Sequence, residues 1–126
     1  MSLILIVEDN EKNMKLVRDI LQFRGHKTLE AVTGLDGVRL ATEHRPDLVL
    51  MDIQLPDIDG IQALREIRAV RALDAVPVVA VSASVMPDEH QKIVSSGFDA
   101  FVTKPINLKT FATTVDHHLA NGRRKD

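Results

Sequence analysis

Five short apolar runs alternate with five segments whose apolar residues recur every three or four positions, and that alternation leaves few folds open. The first run, Leu3–Val7, is uninterrupted Leu, Ile and Val, the composition of a strand buried on both faces of a parallel sheet. Asn10 is placed to cap the helix that follows, in which Met14, Val17, Ile20 and Leu21 share a face until Gly25 stops it. Residues 28–32 are a more polar strand candidate, suited to a sheet edge. Gly34 leads into a second helix ending near Arg45, with Pro46 as its stop. Residues 48–51 form a third strand that runs into Asp52, and a third helix carries Ile61, Leu64 and Ile67. Pro77 introduces a fourth strand, residues 78–81, which ends on Ser82. Pro87 fits the first turn of a fourth helix closed by Gly97. Residues 100–102 are a short fifth strand before Lys104 and Pro105, and Leu108, Phe111, Val115 and Leu119 mark the apolar face of a last helix.

Five β-α units with short connections predict an α/β fold, an open parallel sheet of five strands with five helices on its two faces. A length of 126 residues is that of one domain, and 44% apolar residues are enough for a core. Residues 1–122 are expected to form this domain and residues 123–126 a polar, frayed tail that closes the chain rather than opening another domain. The net charge of −2 offers no footprint for nucleic acid and no basic face for a membrane. With no cysteine, disulfides, thiolate catalysis and zinc–thiolate sites are excluded. The apolar run near the N-terminus follows no basic leader and is too short to span a bilayer, so a soluble cytoplasmic protein is expected.

Ligands of open α/β sheets sit beyond the carboxyl ends of the strands, where strand order reverses. Strand one ends at Glu8 and Asp9, strand three at Asp52 and strand four at Ser82, and strand five is followed by Lys104. If the order is 2-1-3-4-5, strands one and three are neighbours and these groups meet on one rim. Two carboxylates about 5 Å apart repel by roughly 3 kcal/mol at an effective dielectric near 20. Three together need protonation or a cation, and hard oxygen ligands with room for water suit Mg²⁺. A carboxylate beside Mg²⁺ can attack a phosphoryl group, while Lys104 and the Ser82 hydroxyl bind the phosphoryl oxygens.

Four motifs carry a resemblance: VEDN (7–10), LVLMDIQLPDIDG (48–60), VSAS (81–84) and GFDAFVTKP (97–105), with thirty residues from Asp52 to Ser82 and twenty-two from Ser82 to Lys104. In this order they resemble the receiver domain of bacterial two-component response regulators, over essentially the whole chain. VEDNEKNMKL and MDIQLP are most similar to single-domain regulators of the DivK type. The resemblance implies a flavodoxin-like sheet order 2-1-3-4-5 and assigns roles to matching positions. Asp52 is implied to be the phosphoacceptor. Asp9 and Asp52 are implied Mg²⁺ ligands, with Glu8 acting through a water and the Gln54 carbonyl as a further ligand. Ser82 and Lys104 are the implied phosphoryl-sensing pair, Phe101 an aromatic switch, and Pro105 a site of a cis peptide bond. Three residues depart from the usual pattern: Glu8 where aspartate is common, Phe101 where tyrosine is frequent, and Phe98 where alanine often stands.

The implied function is a phosphorylation switch. A histidine kinase or histidine phosphotransfer protein would phosphorylate Asp52, and the fourth helix, fifth strand and fifth helix would signal to a protein effector. A chain of this length leaves no room for a DNA-binding output domain. No enzymatic turnover is expected beyond self-phosphorylation from a donor and slow autodephosphorylation. Two alternatives are weaker. A Mg²⁺-dependent phosphohydrolase needs a second acid two residues after the nucleophile, and Gln54 stands there. A phosphorylation-independent binding module with this fold would be expected to lack part of the acidic cluster or the lysine.

Phe101 is by default a core side chain. Asp59 precedes Gly60 and a helical run, which suits helix entry. Asp57 is read as simply solvated, and His26, His44, His90, His117 and His118, with no metal-binding spacing, as surface residues. Gln54 and Ser84 are expected to flank the path of attacking water.

Overall fold

Parallel pairing organises the computed structural model, which describes residues 2–83 and 87–123. Strands β1 (Leu3–Val7), β2 (Lys27–Ala31), β3 (Leu48–Asp52), β4 (Val78–Ser82) and β5 (Ala100–Thr103) lie in the order 2-1-3-4-5. Every pairing is parallel, so each return crosses the sheet through a helix. These helices are α1 (Glu11–Phe23), α2 (Gly34–His44), α3 (Gly60–Arg68) and α4 (Pro87–Ser95), and α5 (Leu108–Asn121) follows the last strand. No described helix is long and apolar enough to cross a membrane. The expected fold is therefore the observed one.

Alternate residues of each central strand face opposite sides, which explains their unbroken apolar sequence. Leu5, Val7, Val49 and Met51 pack with Ala63, Leu64 and Ile67 of α3 and Ile93 of α4. Ile4, Ile6, Leu48 and Leu50 pack on the other face with Val17 and Leu21 of α1 and Phe111 and Val115 of α5. Burying each of the Val, Leu, Ile, Met and Phe side chains among these contributes about 1.5–3 kcal/mol.

The helix starts are set by side-chain caps. Asn10, Thr33, Asp59 and Asn107 each accept a hydrogen bond from the backbone N–H three residues on, at 2.8–3.1 Å. The expectations for Asn10 and Asp59 are met. At the other end, α2 stops on Arg45 in a left-handed conformation, just before Pro46.

Several residues depart from the sequence reading. β2 begins one residue earlier than expected, which leaves Val32 54% exposed beyond its end. A 3-10 turn at Arg71–Leu73 carries no helical periodicity long enough to read, yet its Leu73 is fully buried. Leu108 is 60% exposed at the very start of α5, where it lines an open groove beside α1. His118, expected on the surface, is buried because it continues the stripe of Phe111 and Val115 at helical spacing. Its Nδ1 lies 2.9 Å from the carbonyl oxygen of Gly122, which satisfies the buried ring nitrogen. Phe98, the unusual residue beside Gly97, is a fully enclosed part of the core.

A buried ion cluster ties the amino-terminal end of β4 to α3 and α5. Asp99 Oδ2 accepts from Arg68 at 3.2 Å and from the Val78 N–H at 2.8 Å. Arg68 also donates to the carbonyls of Leu73 and Val76, at 3.0 and 2.8 Å. Arg123 approaches Asp99 Oδ1 at 3.7 Å and donates to the Asp74 carbonyl at 2.9 Å. The first residue of the expected frayed tail is thus engaged, while residues 124–126 lie outside the described residues. Asp99→Ala leaves a largely buried guanidinium without its carboxylate and should cost about 3–5 kcal/mol. Urea denaturation with an unchanged m-value would register it; a loss under 1 kcal/mol would show the cluster to be dispensable.

Candidate phosphoryl-acceptor site

Glu8, Asp9 and Asp52 reach one rim because β1 and β3 pair in parallel, with Val7 in register with Met51. The residues after those partners are therefore the next to leave the sheet, side by side. Glu8 holds β2 as well, its N–H donating to the Ala31 carbonyl at 2.9 Å. Each of the three carboxylates offers one oxygen within 4.8 Å of the others. Glu8 and Asp52 are buried and Asp9 is exposed, so the cluster is walled by protein on one side and open to water on the other. A compact set of hard oxygens with an open water side fits a divalent cation such as Mg²⁺.

Lys104 closes the inner side. Its Nζ lies 2.8 Å from Glu8 Oε1 and 3.2 Å from Asp52 Oδ2. The second oxygen of each carboxylate accepts a backbone N–H, Asn10 to Glu8 Oε2 and Gln54 to Asp52 Oδ1, both at 3.1 Å. Each carboxylate is thus held between the ammonium and an amide two residues downstream. β5 delivers Lys104 through the sheet, since its N–H donates to the Ser82 carbonyl at 2.7 Å. Ser82 is buried at the end of β4, beside a cleft of about 160 Å³ lined also by Gln54 and by Glu89 and Lys92 of α4.

Burial raises the Glu8 carboxyl above its ordinary value of 4.5; the bond from Lys104 opposes that rise and the nearby Asp52 adds to it. Burial pulls the Lys104 ammonium down, but its bonds and attraction to Glu8 and Asp52 outweigh this and leave it raised. Lys104 stays charged at neutral pH, and Glu8 takes up a proton more readily than an ordinary glutamate.

The turn after Asp52 allows no side chain at Gly60. A Cβ there would lie 2.4 Å from the Asp52 carbonyl oxygen and 2.9 Å from Ile53 Cα. The Gly60 N–H instead donates to the Ile53 carbonyl at 2.8 Å, which docks the start of α3 beneath the site. Asp57 has a different role from the expected solvated one. Its carboxylate accepts the N–H groups of Gly34 and Leu35 at 2.8 and 2.9 Å, across twenty-three residues, and joins the β3-α3 loop to the start of α2. The bond from Leu35 leads in holding its carboxyl below the ordinary value. Only the contact across the fold reveals this; nothing near Asp57 in sequence signals it.

Phe101 is half-buried on β5 and packs against His90 of α4, with ring centroids 4.9 Å apart and planes tilted by 49°. The Lys104–Pro105 bond is cis, as the resemblance implied. Ser84 lies outside the described residues. The site therefore brings together Glu8, Asp9, Asp52 and Lys104, with the Gln54 amide on Asp52 and Ser82 at the adjacent strand end. The direct Glu8–Lys104 pair is the contact that the sequence reading did not contain.

A doubly wound parallel sheet with an acidic cluster after its first and third strands and a lysine after its fifth defines the receiver class of α/β proteins. The model of the response regulator receiver domain matches residues 4–116, and the chain belongs to this family. It is 41% identical over 118 residues to the polar-differentiation response regulator DivK of Brucella anthropi, covering 94% of this chain and 96% of that protein. The Brucella abortus DivK is 40% identical over the same length. Among solved structures, the receiver domain of a signal transduction histidine kinase from Syntrophus aciditrophicus superposes with a TM-score of 0.89 at 28% identity, over 100% of this chain and 96% of that one. The receiver domain of a sensor histidine kinase from Pseudomonas aeruginosa, described with a magnesium ion coordinated in its active site cleft, gives 0.88 at 29% identity, over 94% and 98%. The chain is a response regulator receiver, and its likeness to single-domain DivK regulators is borne out.

Two substitutions probe the site's construction. Lys104→Met removes the cation that opposes the rise at Glu8, so the Glu8 carboxyl should titrate at higher pH than in the wild type, read from its ¹³C shift. Gly60→Ala forces backbone apart at Asp52 and should cost about 1–3 kcal/mol in denaturation, with shift changes centred on Asp52 and Ile53. Wild-type behaviour in either case would contradict the contacts described.

Proposed function

We propose that Asp52 accepts a phosphoryl group from a phosphohistidine of a sensor kinase or a histidine phosphotransfer protein. The observation that carries this reading is the Asp52 carboxylate at a buried strand end, held between Lys104 and the Gln54 amide and bordered by Glu8 and Asp9. An Asp52 oxygen forms the new P–O bond as the P–N bond of the donor breaks, and the imidazole leaves with a proton from solvent. Asp9 and Asp52, with the Gln54 carbonyl and Glu8 through water, would hold Mg²⁺, which neutralises charge on the transferring group when bound. Lys104, already 3.2 Å from Asp52, has its ammonium where phosphoryl oxygens would need it.

In this reading Ser82 and Lys104 report the phosphoryl group, and Phe101 passes the change to the face formed by α4, β5 and α5. Support comes from the Lys104 N–H bound to the Ser82 carbonyl and from the contact of Phe101 with His90 on α4. Residues 1–122 would act as one receiver unit in the cytoplasm, with output through a protein effector and without turnover of a diffusible substrate. Gln54 offers no acid for a leaving group, which disfavours a phosphohydrolase.

With Mg²⁺ and acetyl phosphate, the wild-type protein should gain one phosphoryl group by intact-mass measurement. Asp52→Asn should gain none; equal uptake by that variant sinks the assignment. Mg²⁺ affinity, followed by calorimetry, should weaken on acidification. Because the Glu8 carboxyl is raised, the loss should begin above the pH at which an ordinary glutamate protonates, and Glu8→Gln should flatten that part of the profile.

A further inference from the structure

The loop from Asp52 to α3 is pinned at both ends. At its start the Gln54 N–H donates to Asp52 Oδ1 at 3.1 Å, and at its end the Gly60 N–H donates to the Ile53 carbonyl at 2.8 Å. Its crest, Pro56 and Asp57, is exposed and reaches across to α2. There Asp57 Oδ1 accepts the Gly34 N–H at 2.8 Å and Oδ2 accepts the Leu35 N–H at 2.9 Å. Both carboxylate oxygens are engaged. The bond from Leu35, then that from Gly34, holds the carboxyl below its ordinary value, so at neutral pH both bonds are charge-assisted.

α2 does not need this acid in order to begin. Thr33 already caps it, with its side-chain oxygen accepting the Asp36 N–H at 3.1 Å and its carbonyl the Gly37 N–H at 3.0 Å. What Asp57 adds is a tie between the helix and the loop. The docking is close: a Cβ on Gly34 would lie 2.6 Å from Ile58 Cγ1 and 3.2 Å from the Ile58 carbonyl oxygen. One turn further, a Cβ on Gly37 would lie 2.7 Å from Val7 Cγ2. The first turn of α2 thus sits against both segments that carry the acidic cluster, the strand end before Glu8 and the loop after Asp52. Only Leu55, packed on the core, and Pro56, with its fixed φ, separate Asp57 from Gln54, which leaves little slack between them.

We propose that Asp57 is a positioning residue for the Mg²⁺ site, fixing the β3-α3 loop on α2 so that the Gln54 carbonyl stands ready for the ion and the Gln54 N–H for Asp52. Mg²⁺ demands near-octahedral geometry at about 2.0–2.1 Å, so a carbonyl ligand on a slack loop must be ordered at an entropic cost whenever the ion binds. Asp57 touches neither the ion nor the phosphoryl group and acts through the backbone. The inference rests on the reading of Asp9, Asp52 and Gln54 as Mg²⁺ ligands.

The first measurement needs no metal. Hydrogen exchange at the Gln54 amide, protected by its bond to Asp52, should speed up in Asp57→Ala, while the amides of β4 keep their wild-type rates. Calorimetry should then show Mg²⁺ affinity lowered about tenfold, the lower end of what removing a residue that orients a metal ligand does. Asp57→Asn keeps one acceptor oxygen and should fall between the two. Gly34→Ala leaves the charge of Asp57 in place but drives Ile58 away, and should weaken Mg²⁺ binding as well. Circular dichroism of each variant should match the wild type, because Thr33 still caps α2. Should Asp57→Ala unfold, the same comparisons are read from Asp57→Asn. Unchanged Mg²⁺ affinity in Asp57→Ala overturns the proposal, as does weaker affinity without faster exchange at Gln54. A loss that Gly34→Ala does not share, and that added salt abolishes, reduces Asp57 to a distant charge and overturns it too. A wild type that binds Mg²⁺ and accepts a phosphoryl group, beside variants that do so equally, removes this inference alone. A wild type that does neither removes the reading of the site and this inference with it.

Discussion

Two carboxylates placed side by side at the ends of buried strands are the constraint on which the rest of this molecule depends. Glu8 and Asp52 are there because β1 and β3 are neighbours in a parallel sheet, and both are almost without solvent. Burial of like charges at such distance is costly, and a single ammonium from the far strand answers both. The arrangement binds β1, β3 and β5 to one another through side chains, in addition to the ladders between their neighbours. It also leaves three carboxylates sharing one ammonium, which is the condition under which a divalent cation finds a ready place.

The opposite end of the sheet shows the same physics used for a different purpose. Asp99 is also buried, but two arginines, a backbone N–H and the carbonyls around Arg68 surround it. The group exposed to water there is the cation Arg123, where the other end exposes the acid Asp9. A buried carboxylate met only by cations and a backbone N–H is a structural joint; one bordered by other carboxylates and an exposed acid is a site. The distinction between the two ends of β4 and β5 lies in neighbours, since the residue types are alike.

Much of the fold could be read before any coordinates because local chemistry and global need coincide here. Strand runs such as LILIV and LVLMD are apolar throughout since both faces of the sheet are covered. Asn10 and Asp59 are legible as caps because a cap acts three residues away. Where the sequence misled, the deciding partner was distant or the position lay at an element's edge. Asp57 reads as a solvated loop acid until α2, more than twenty residues earlier, is seen to end its amides on it. His118 reads as polar surface until the phase of α5 turns it inward, and Leu108 reads as core until it is seen to line the open groove beside α1.

By itself the sequence determined the alternation of strands and helices, the residues that terminate each strand, and the family those residues mark. These follow from period, cap and spacing, which act over a few residues. Only the tertiary structure decided that Lys104 pairs with both Glu8 and Asp52, that Asp99 gathers two arginines, and that Asp57 caps a remote helix. Those contacts depend on which elements become neighbours, and strand order brings together residues that the chain keeps dozens of positions apart.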